Sequence, residues 1–214
     1  YFKEEGFYNP QVLFNFADRP GDNENAPSWY GDFFSYDDTT AYAAFFNGSY
    51  AISDRVNITA GLRYSNEDKE HSFKLIDITA GAGVDPGLTK QTGSWSALTP
   101  KVGVDFQIND DNFLYASYSE GFKSGGFDAF SGGDSVEPET VNAFEVGSKN
   151  MLFNDSLMIN LAAFYYDYKD LQVNSFHPVL IAIRSNAASA TVQGLEMDIT
   201  ARPTKQLSID FGLA

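Results

Sequence analysis

The sequence contains no cysteine, which excludes disulfide bonds and thiol chemistry but does not identify a compartment. It also lacks any unbroken apolar run of about eighteen residues, the length from which a transmembrane helix is predicted. A membrane is still compatible with such a sequence, because tilted β-strands of about ten alternating residues also cross one. Basic residues are few: 14 Lys and Arg stand against 29 Asp and Glu, and the net charge is −15. Nucleic acid is therefore a poor partner, because phosphate binding requires clustered positive charge.

Groups that carry catalysis or bind metals are equally scarce. The two histidines, His71 and His177, lie in segments predicted as loops, where we expect exposed side chains. Without Cys, and without two His at ligand spacing, the sequence argues against a transition-metal site. Asp37-Asp38 and Asp110-Asp111 offer carboxylates for Ca²⁺, but no regular acidic loop surrounds them, which favours solvated turns. No nucleophile-elbow, phosphate-loop or dinucleotide pattern is present, so we predict no enzyme, no cofactor, and no catalytic or metal-binding residue.

Aromatic residues, in contrast, are abundant, with 19 Phe and 12 Tyr in stretches that alternate between apolar and polar side chains. A period of two predicts β-strands with one apolar and one polar face. Residues 56–64 place every second side chain from Val56 to Tyr64 on the apolar face, and residues 195–201 and 207–213 repeat the pattern. We therefore predict an all-β fold.

The connections between these strands alternate between short and long. Short polar turns lie at residues 53–55, 109–112, 154–156 and 203–206, and long segments rich in Gly, Pro, Ser and Asp lie near 71–94, 122–137 and 173–186. In an up-and-down antiparallel sheet, all short turns then fall at one end. Transmembrane β-barrels have this asymmetry, with short periplasmic turns and long extracellular loops, whereas soluble sandwiches have little reason for it.

Two further patterns leave alternatives open. One set of aromatics flanks the short turns and another lies near the long loops, which is typical of membrane-interface girdles but also of ordinary strands. These residues are Phe106, Phe113 and Phe153, then Tyr64, Phe122, Tyr166 and Tyr168. The run 157–168 is largely apolar on both faces, which fits either packing against an interior plug or an ordinary buried strand.

Several segments occur in an order that is similar to one known family. They are Ala60–Tyr64, Leu98–Phe106 followed by a turn and Phe113–Lys123, then Val136–Lys149 with its Pro-Glu and Glu-x-Gly-x-Lys elements, and Asn186–Glu196 with Gly-x-Glu. Together they resemble the barrel region of TonB-dependent outer-membrane receptors over about residues 39–214. Each motif alone is weak, whereas the ordered set is fairly specific.

The resemblance implies a 22-stranded antiparallel up-and-down barrel in the outer membrane of a Gram-negative cell, of which this chain holds about eight strands. It also implies an N-terminal plug and import of a scarce nutrient, most often an iron–siderophore complex, with energy from a TonB-type partner. The sequence shows no TonB box, no plug and no terminal strand ending in an aromatic. Both ends look cut, so we expect a fragment, with residues 1–38 as an extracellular loop or strand end and 39–214 as barrel strands.

Some residues have structural or binding hypotheses attached. Four glycines lie within predicted strands, where they would relieve crowding against a plug, permit strand coiling or form bulges: Gly61, Gly103, Gly147 and Gly194. Four charged residues fall on the predicted lumenal face: Glu145, Lys149, Glu196 and Asp198. An aromatic cluster could stack on cargo or serve as a girdle: Trp29, Tyr30, Phe33, Phe34 and Tyr36. The cargo-binding residues remain unassigned at this level.

Two alternative functions compete with nutrient import. Eight strands can close a small non-transporting membrane barrel with a structural or adhesive role, although the unfinished strand at residues 207–214 argues against it. A secreted β-rich module that binds carbohydrate is the third hypothesis.

Overall fold

The computed structural model describes residues 2–8, 11–14, 29–77, 88–128, 135–176, 182–187 and 189–214, with side chains from residue 35 onward except 75–87, 129–134, 176–183 and 188. The strands are β1 (Phe2–Tyr8), β2 (Gln11–Phe14), β3 (Trp29–Ser53), β4 (Val56–Asp77), β5 (Thr89–Asn109), β6 (Asn112–Lys123), β7 (Glu139–Leu152), β8 (Leu157–Lys169), β9 (Gln172–Phe176), β10 (Ala182–Asn186), β11 (Ala190–Thr204) and β12 (Leu207–Leu213). Across these ranges, no helix is long and apolar enough to cross a membrane.

One antiparallel sheet follows the order of the chain, β1-β3-β4-β5-β6-β7-β8-β11-β12, and β2 also pairs with β3. The strands β9 and β10 form a separate hairpin. The eight strands β3 to β8, β11 and β12 make a continuous up-and-down wall, which confirms the predicted all-β antiparallel fold and strand number. Within the described residues no pairing joins the two edges of this wall, so it is an open arc.

The four predicted short turns all lie at one end of the wall. They link β3 to β4, β5 to β6, β7 to β8 and β11 to β12, and polar side chains close them locally. At the third turn, Phe153, Asn154 and Asp155 have φ of 56°, 54° and 65°, and the Ser156 hydroxyl donates to the Phe153 carbonyl oxygen at 2.7 Å. The longer connections lie at the opposite end, as the alternation of short and long segments predicted.

The pairing register separates the wall into two faces. The apolar face presents large exposed hydrophobic side chains: Leu62, Tyr64, Leu98, Val102, Val104, Phe106, Leu114, Phe144, Val146, Leu161 and Leu195. The polar face carries Asn57, Thr59, Arg63, Lys101, Asp105, Ser117, Glu145, Lys149, Asn160, Glu196 and Asp198. A contiguous exposed apolar surface of this extent requires an apolar environment.

The strand glycines do not form bulges, because the register runs unbroken through them and shifts instead at 51/53, 107/109 and 201/204. A Cβ on Gly147 would lie 2.6 Å from both the Leu161 carbonyl oxygen and the Tyr115 ring, and one on Gly194 would lie 2.7 Å from the Phe164 ring. The bulge hypothesis is therefore wrong at all four glycines, and at Gly147 and Gly194 the missing side chain makes room for an aromatic ring of the neighbouring strand. Relief of crowding against a plug stays a prediction.

The apolar run at residues 157–168 has a related explanation. The strand β8 directs Phe164 and Tyr166 to the polar face, where their rings stack with centroids 5.0 Å apart, and Phe164 also covers Gly194. Ring packing within the sheet thus gives Phe164 and Tyr166 apolar neighbours on the polar face, and packing of residues 157–168 against an interior plug stays a prediction.

The strands fall into two length classes. With 25, 22 and 21 residues, β3, β4 and β5 are much longer than β6 and β8, with 12 and 13. Since about ten tilted residues span a bilayer, the three long strands project well beyond such a span.

The parts of β3, β4 and β5 that extend beyond the span are here called the projection. They show that the loop predicted near residues 71–94 is wrong in its extent, because β4 continues to Asp77 and β5 begins at Thr89. The alternating pattern is lost there because both faces of the projection carry polar residues. On the other side, β1 and β2 pair with the projecting part of β3, which begins at Trp29. The division of the chain at residue 38 into an extracellular segment and barrel strands stays a prediction.

Candidate functional site

The segment Ser124–Asp128, here called the strap, lies on the polar face of the projection. Pairing between β5 and β6 stops at Lys101 and Ser119, whereas β5 continues to Thr89. Beyond this point the chain from β6 crosses to contact β4 and β5. A two-way backbone bridge closes the base of the strap: Gly126 N donates to Val136 O at 3.2 Å, and Val136 N to Gly126 O at 2.8 Å.

A polar cluster fastens the start of the strap to β4. The Lys69 ammonium donates to the Ser124 hydroxyl at 2.5 Å and to the Gly125 carbonyl oxygen at 3.0 Å. The Ser124 hydroxyl in turn donates to a Glu67 carboxylate oxygen at 2.5 Å, which also lies 3.1 Å from the Lys69 nitrogen. Charged partners strengthen such bonds relative to neutral ones, so these contacts form one connected fastening.

The electrostatics of this cluster are visible in the Glu67 carboxyl group. Glu67 is the twelfth residue of β4 counted from the short turn, beyond the roughly ten residues that cross a bilayer. Burial by itself would raise the pKa of Glu67, but the hydrogen bonds from Ser124 and Lys69 and the charge of Lys69 outweigh it and hold the pKa below its ordinary value of 4.5. The closed strap therefore favours the ionised carboxylate.

An aromatic cluster holds the rest of the strap. A Cβ on Gly125 would collide with the Trp95 indole and the Val136 carbonyl oxygen, so only glycine permits this close approach. Next along the strap, the Phe127 ring meets the Trp95 ring edge-on, with centroids 5.5 Å apart. The Lys69 ammonium lies 5.9 Å from the centroid of the Trp95 ring, which joins the aromatic and polar clusters.

Beneath the strap lies His71, whose residue surface is 1% exposed. Its ring stacks between Phe73 and Phe127, at centroid distances of 5.9 and 6.0 Å. Nδ1 lies 2.7 Å from an Asp37 carboxylate oxygen, while the buried Nε2 has no hydrogen-bond partner among the described residues. The prediction that His71 is an exposed loop residue is wrong, because both the strand extension and the strap cover it.

The base of the strap is tied to the hairpin β9–β10. The Gln172 side-chain amide donates to the backbone oxygens of Ser124 and Glu137, at 2.8 and 3.0 Å. The Asn186 side chain bonds both the N–H and the C=O of Glu137, at 2.7 and 2.9 Å, and reaches Asp170 O at 2.7 Å. Residues of two sequence motifs, Glu137 and Asn186, thus join neighbouring long connections to each other.

The remaining predicted candidates are distributed as follows. Of the two acidic pairs, Asp37 is in β3 and bonds His71, and Asp110-Asp111 form the turn between β5 and β6. The backbone of the aromatic cluster at 29–36 belongs to β3, but the side chains of residues 29–34 lie outside the described residues, as does His177. No group of three or more His, Cys, Asp or Glu suited to a metal ion occurs in the part of the chain that the structure describes.

Sequence reasoning did not single out the side chains that build this site. Glu67, Lys69 and His71 are alternate residues on one face of β4, a pattern that becomes visible only when the strand is extended past residue 66. The strap residues Ser124, Gly125 and Gly126 are consecutive and small, which signals a close approach of the backbone to another element.

Comparison with known proteins identifies the fold and the family. The profile described as TonB dependent receptor-like, beta-barrel matches residues 4–214. The metal-pseudopaline receptor CntO of Pseudomonas aeruginosa is 32% identical over 114 residues, which cover 53% of this chain and 16% of that protein. The ferric-pyoverdine 358 receptor of Pseudomonas putida is 25% identical over 201 residues, 91% of this chain and 23% of that protein. The chain therefore spans less than a quarter of either relative.

Solved structures share the same fold at low identity. The ferric yersiniabactin uptake receptor FyuA from Yersinia pestis has a TM-score of 0.72 at 19% identity, covering 86% of this chain and 27% of that one. The closed form of the ferric-catecholate import receptor Fiu from Escherichia coli K12 has a TM-score of 0.58 at 14% identity, covering 98% of this chain and 34% of that one. Both place the described strands in a β-barrel wall.

Proposed function

Because the chain belongs to the TonB-dependent receptor β-barrel family, we propose that it forms part of an outer-membrane receptor that imports a scarce nutrient. The family consists of receptors and transporters, and the chain is accordingly not assigned an enzymatic role. In this proposal the apolar face of the wall meets lipid and the polar face lines the lumen, with the short turns periplasmic and the projection extracellular.

The separation of the wall into an apolar face and a polar face is the observation that best supports a membrane location. Large apolar side chains such as Val102 and Val146 are about half exposed, at 49% and 55%, whereas charged residues occupy the opposite face. In water such an apolar surface would be unfavourable, but in a bilayer it is the ordinary outside of a barrel. Residues 1–38 and the long connections, on this proposal, form the extracellular rim.

For cargo we propose a metal chelate, with an iron–siderophore complex first. The two relatives carry the names of a metal-pseudopaline and a ferric-pyoverdine receptor, which supports a metal complex of a small organic chelator. A TonB-type protein would supply energy through parts of the receptor outside this chain. The lumenal polar face and its strap are available to a polar cargo.

Transport measured in the native host tests these assignments separately. Cells that lack the receptor should lose uptake of iron-55 offered as chelates from the host's own culture medium, and cells that lack the TonB-type protein should lose it equally. Unchanged uptake without the receptor would overturn the import function. Uptake that persists without the TonB-type protein would overturn only the energy coupling.

The location is tested by labelling, since the chain has no cysteine of its own. A single cysteine at Lys101, on the polar face, should react with a hydrophilic maleimide in outer-membrane vesicles. The neighbouring Val102→Cys variant, on the apolar face, should react only after the lipid is dissolved in detergent. Equal reaction at both positions in intact vesicles would exclude a lipid-facing apolar surface, and recovery of the protein in the soluble fraction would do the same.

A further inference from the structure

The strap separates one imidazole from the lumen. His71 lies on the polar face of β4, where its neighbours Glu67 and Lys69 face the same side, yet Phe127 stacks directly over its ring. The strap residues Ser124 and Asp128 are themselves buried, at 7% and 4% exposure. Without the strap, the imidazole would face the lumenal side of the projection.

The two ring nitrogens of His71 differ in their hydrogen bonding. A carboxylate oxygen of Asp37 accepts from Nδ1 at 2.7 Å, because an ionised carboxylate can only accept. In the neutral ring, Nε2 therefore carries the lone pair, and it is buried with no hydrogen-bond partner in the part of the chain that the structure describes. Burial of such an atom is unfavourable, so the closed strap leaves one polar interaction of His71 unmade.

We propose that the strap is a movable cover over the Asp37–His71 pair, and that its opening presents Nε2 of His71 to the lumen as a hydrogen-bond acceptor for cargo. The cargo group is an O–H or N–H donor of a polar chelate. A resident metal ion fits less well, because no cluster of three ligating side chains occurs among the described residues. The role toward cargo rests on the proposed import function, whereas the movement of the strap does not.

The fastening of the strap determines which part moves. Within the strap, Gly126 is held by its bridge to Val136 and the Ser124 backbone oxygen is held by Gln172, while the wall beneath keeps a continuous register from Phe73 to Val56. The contacts between strap and wall include the side-chain bonds of Ser124 with Glu67 and Lys69, the bond from Lys69 to the Gly125 carbonyl oxygen, and the packing of Phe127 on Trp95 and His71. Those side-chain contacts break without disturbing any strand pairing, so opening is local.

Chemical modification of His71 measures the opening. Diethyl pyrocarbonate attacks the lone pair of a neutral imidazole, and mass spectrometry of the peptide that contains residue 71 reports the rate in full-length receptor purified in detergent. We expect slow modification in the wild type. Ser124→Ala removes a hydrogen bond to charged partners and should raise the rate about tenfold, and Phe127→Ala should raise it at least as much.

Two matched variants control for unrelated loosening. Ser117→Ala lies on the same face of β6 away from the strap, and Phe45→Ala removes a ring that is 74% exposed; both should leave the rate unchanged. Only the fraction that shows the heat-modifiable gel shift of a folded barrel is scored. An unchanged rate in Ser124→Ala and Phe127→Ala, or a wild-type rate equal to that of an exposed imidazole, would overturn the movable cover.

The contact with cargo is tested by uptake of iron-55 chelates from the host's own medium. His71→Gln retains a side chain that can hydrogen-bond, whereas His71→Phe cannot, so at equal amounts of folded receptor uptake should fall several-fold only in His71→Phe. Equal uptake by both variants would overturn the contact role and leave the import function standing. Normal uptake in cells lacking the receptor would instead overturn the import function.

Discussion

The apolar face and the polar face of the wall differ in how their side chains contact one another. On the apolar face, neighbouring side chains such as Val104, Ala116 and Val146 stand in register without specific bonds. On the polar face, the adjacent row pairs Tyr115 with Glu145 through a 2.7 Å hydrogen bond. In the proposed orientation lipid is the solvent of the first face, which then needs only to be apolar, whereas the second face depends on individual contacts. Substitutions should therefore be sensitive to polarity on one face and to shape on the other.

The largest effect is expected from a charge at mid-wall on the apolar face. Ala116→Arg, five residues into β6, should cost about 2–4 kcal/mol of the free energy of unfolding, the range for a basic residue near the bilayer midplane. Ser117→Arg, its neighbour on the polar face opposite Glu145, should cost less than about 1 kcal/mol. Urea unfolding in lipid vesicles, followed by the gel shift, measures both. Equal costs would remove the distinction between the faces.

Shape sensitivity of the polar face is tested with one added methyl group. Gly147→Ala would place a Cβ 2.6 Å from the Leu161 carbonyl oxygen, so it should cost about 1–3 kcal/mol through overpacking. At Gly103 the nearest atom would lie 3.7 Å away, and alanine there should change stability by less than about 1 kcal/mol. The same unfolding assay applies, and a tolerant Gly147 would show that Tyr115 does not need the space.

A smaller and local effect is expected at the strap. Lys69→Met keeps the length of the side chain but loses the bonds to Ser124 and Gly125, which should loosen the strap by about 1–3 kcal/mol with little change in global stability. Hydrogen exchange of the amides at 124–128 should accelerate. Lys149→Met, on the same face near the short turns, serves as the control and should leave that exchange unchanged. Equal hydrogen-exchange protection of the amides at 124–128 in the wild type, Lys69→Met and Lys149→Met would contradict the role of Lys69 in holding the strap.

The smallest effect is a pH dependence of the same segment. The pKa of Glu67 in the closed strap lies below its ordinary value of 4.5, so its contribution to closure is present above that value and is lost as the pH falls below it. Lys69 is the charged group facing it, and its register partners Ala41 and Trp95 are uncharged. Strap exchange, corrected for intrinsic rates, should rise as the pH falls below 4.5 in the wild type but not in Glu67→Gln.

The sequence predicted the wall well and the strap poorly, for one physical reason. Inside the span, lipid imposes alternation, so the strands at 56–64 and 195–201 and the polar turns between strands could be located from side-chain pattern alone. Above the span both faces meet water or other loops, and residues 66–77 carry no alternation even though β4 continues through them. Because this alternation is missing, the end of β4 was predicted as a loop and His71 was predicted to be exposed.

The strap could not be predicted because it depends on contacts distant in the chain. Lys69 and Ser124 meet across 55 positions, and neither residue type at its own position indicates a partner. The motif residues Glu137 and Asn186 were recognised through resemblance, but their backbone-bonding role became visible only with the hairpin β9–β10 in place. The apolar second face of 157–168 similarly needed Gly194 opposite Phe164 to be understood.

Because the strands differ in length, some parts of the chain should also tolerate substitution better than others. On the far side of the projection, away from the strap, residues such as Thr40, Asp68 and Ser94 share an open surface, which in the proposed orientation faces neither lipid nor lumen. Surface substitutions of this kind change stability by less than about 0.5 kcal/mol. Among related sequences this patch should therefore vary more than the residues that hold the strap.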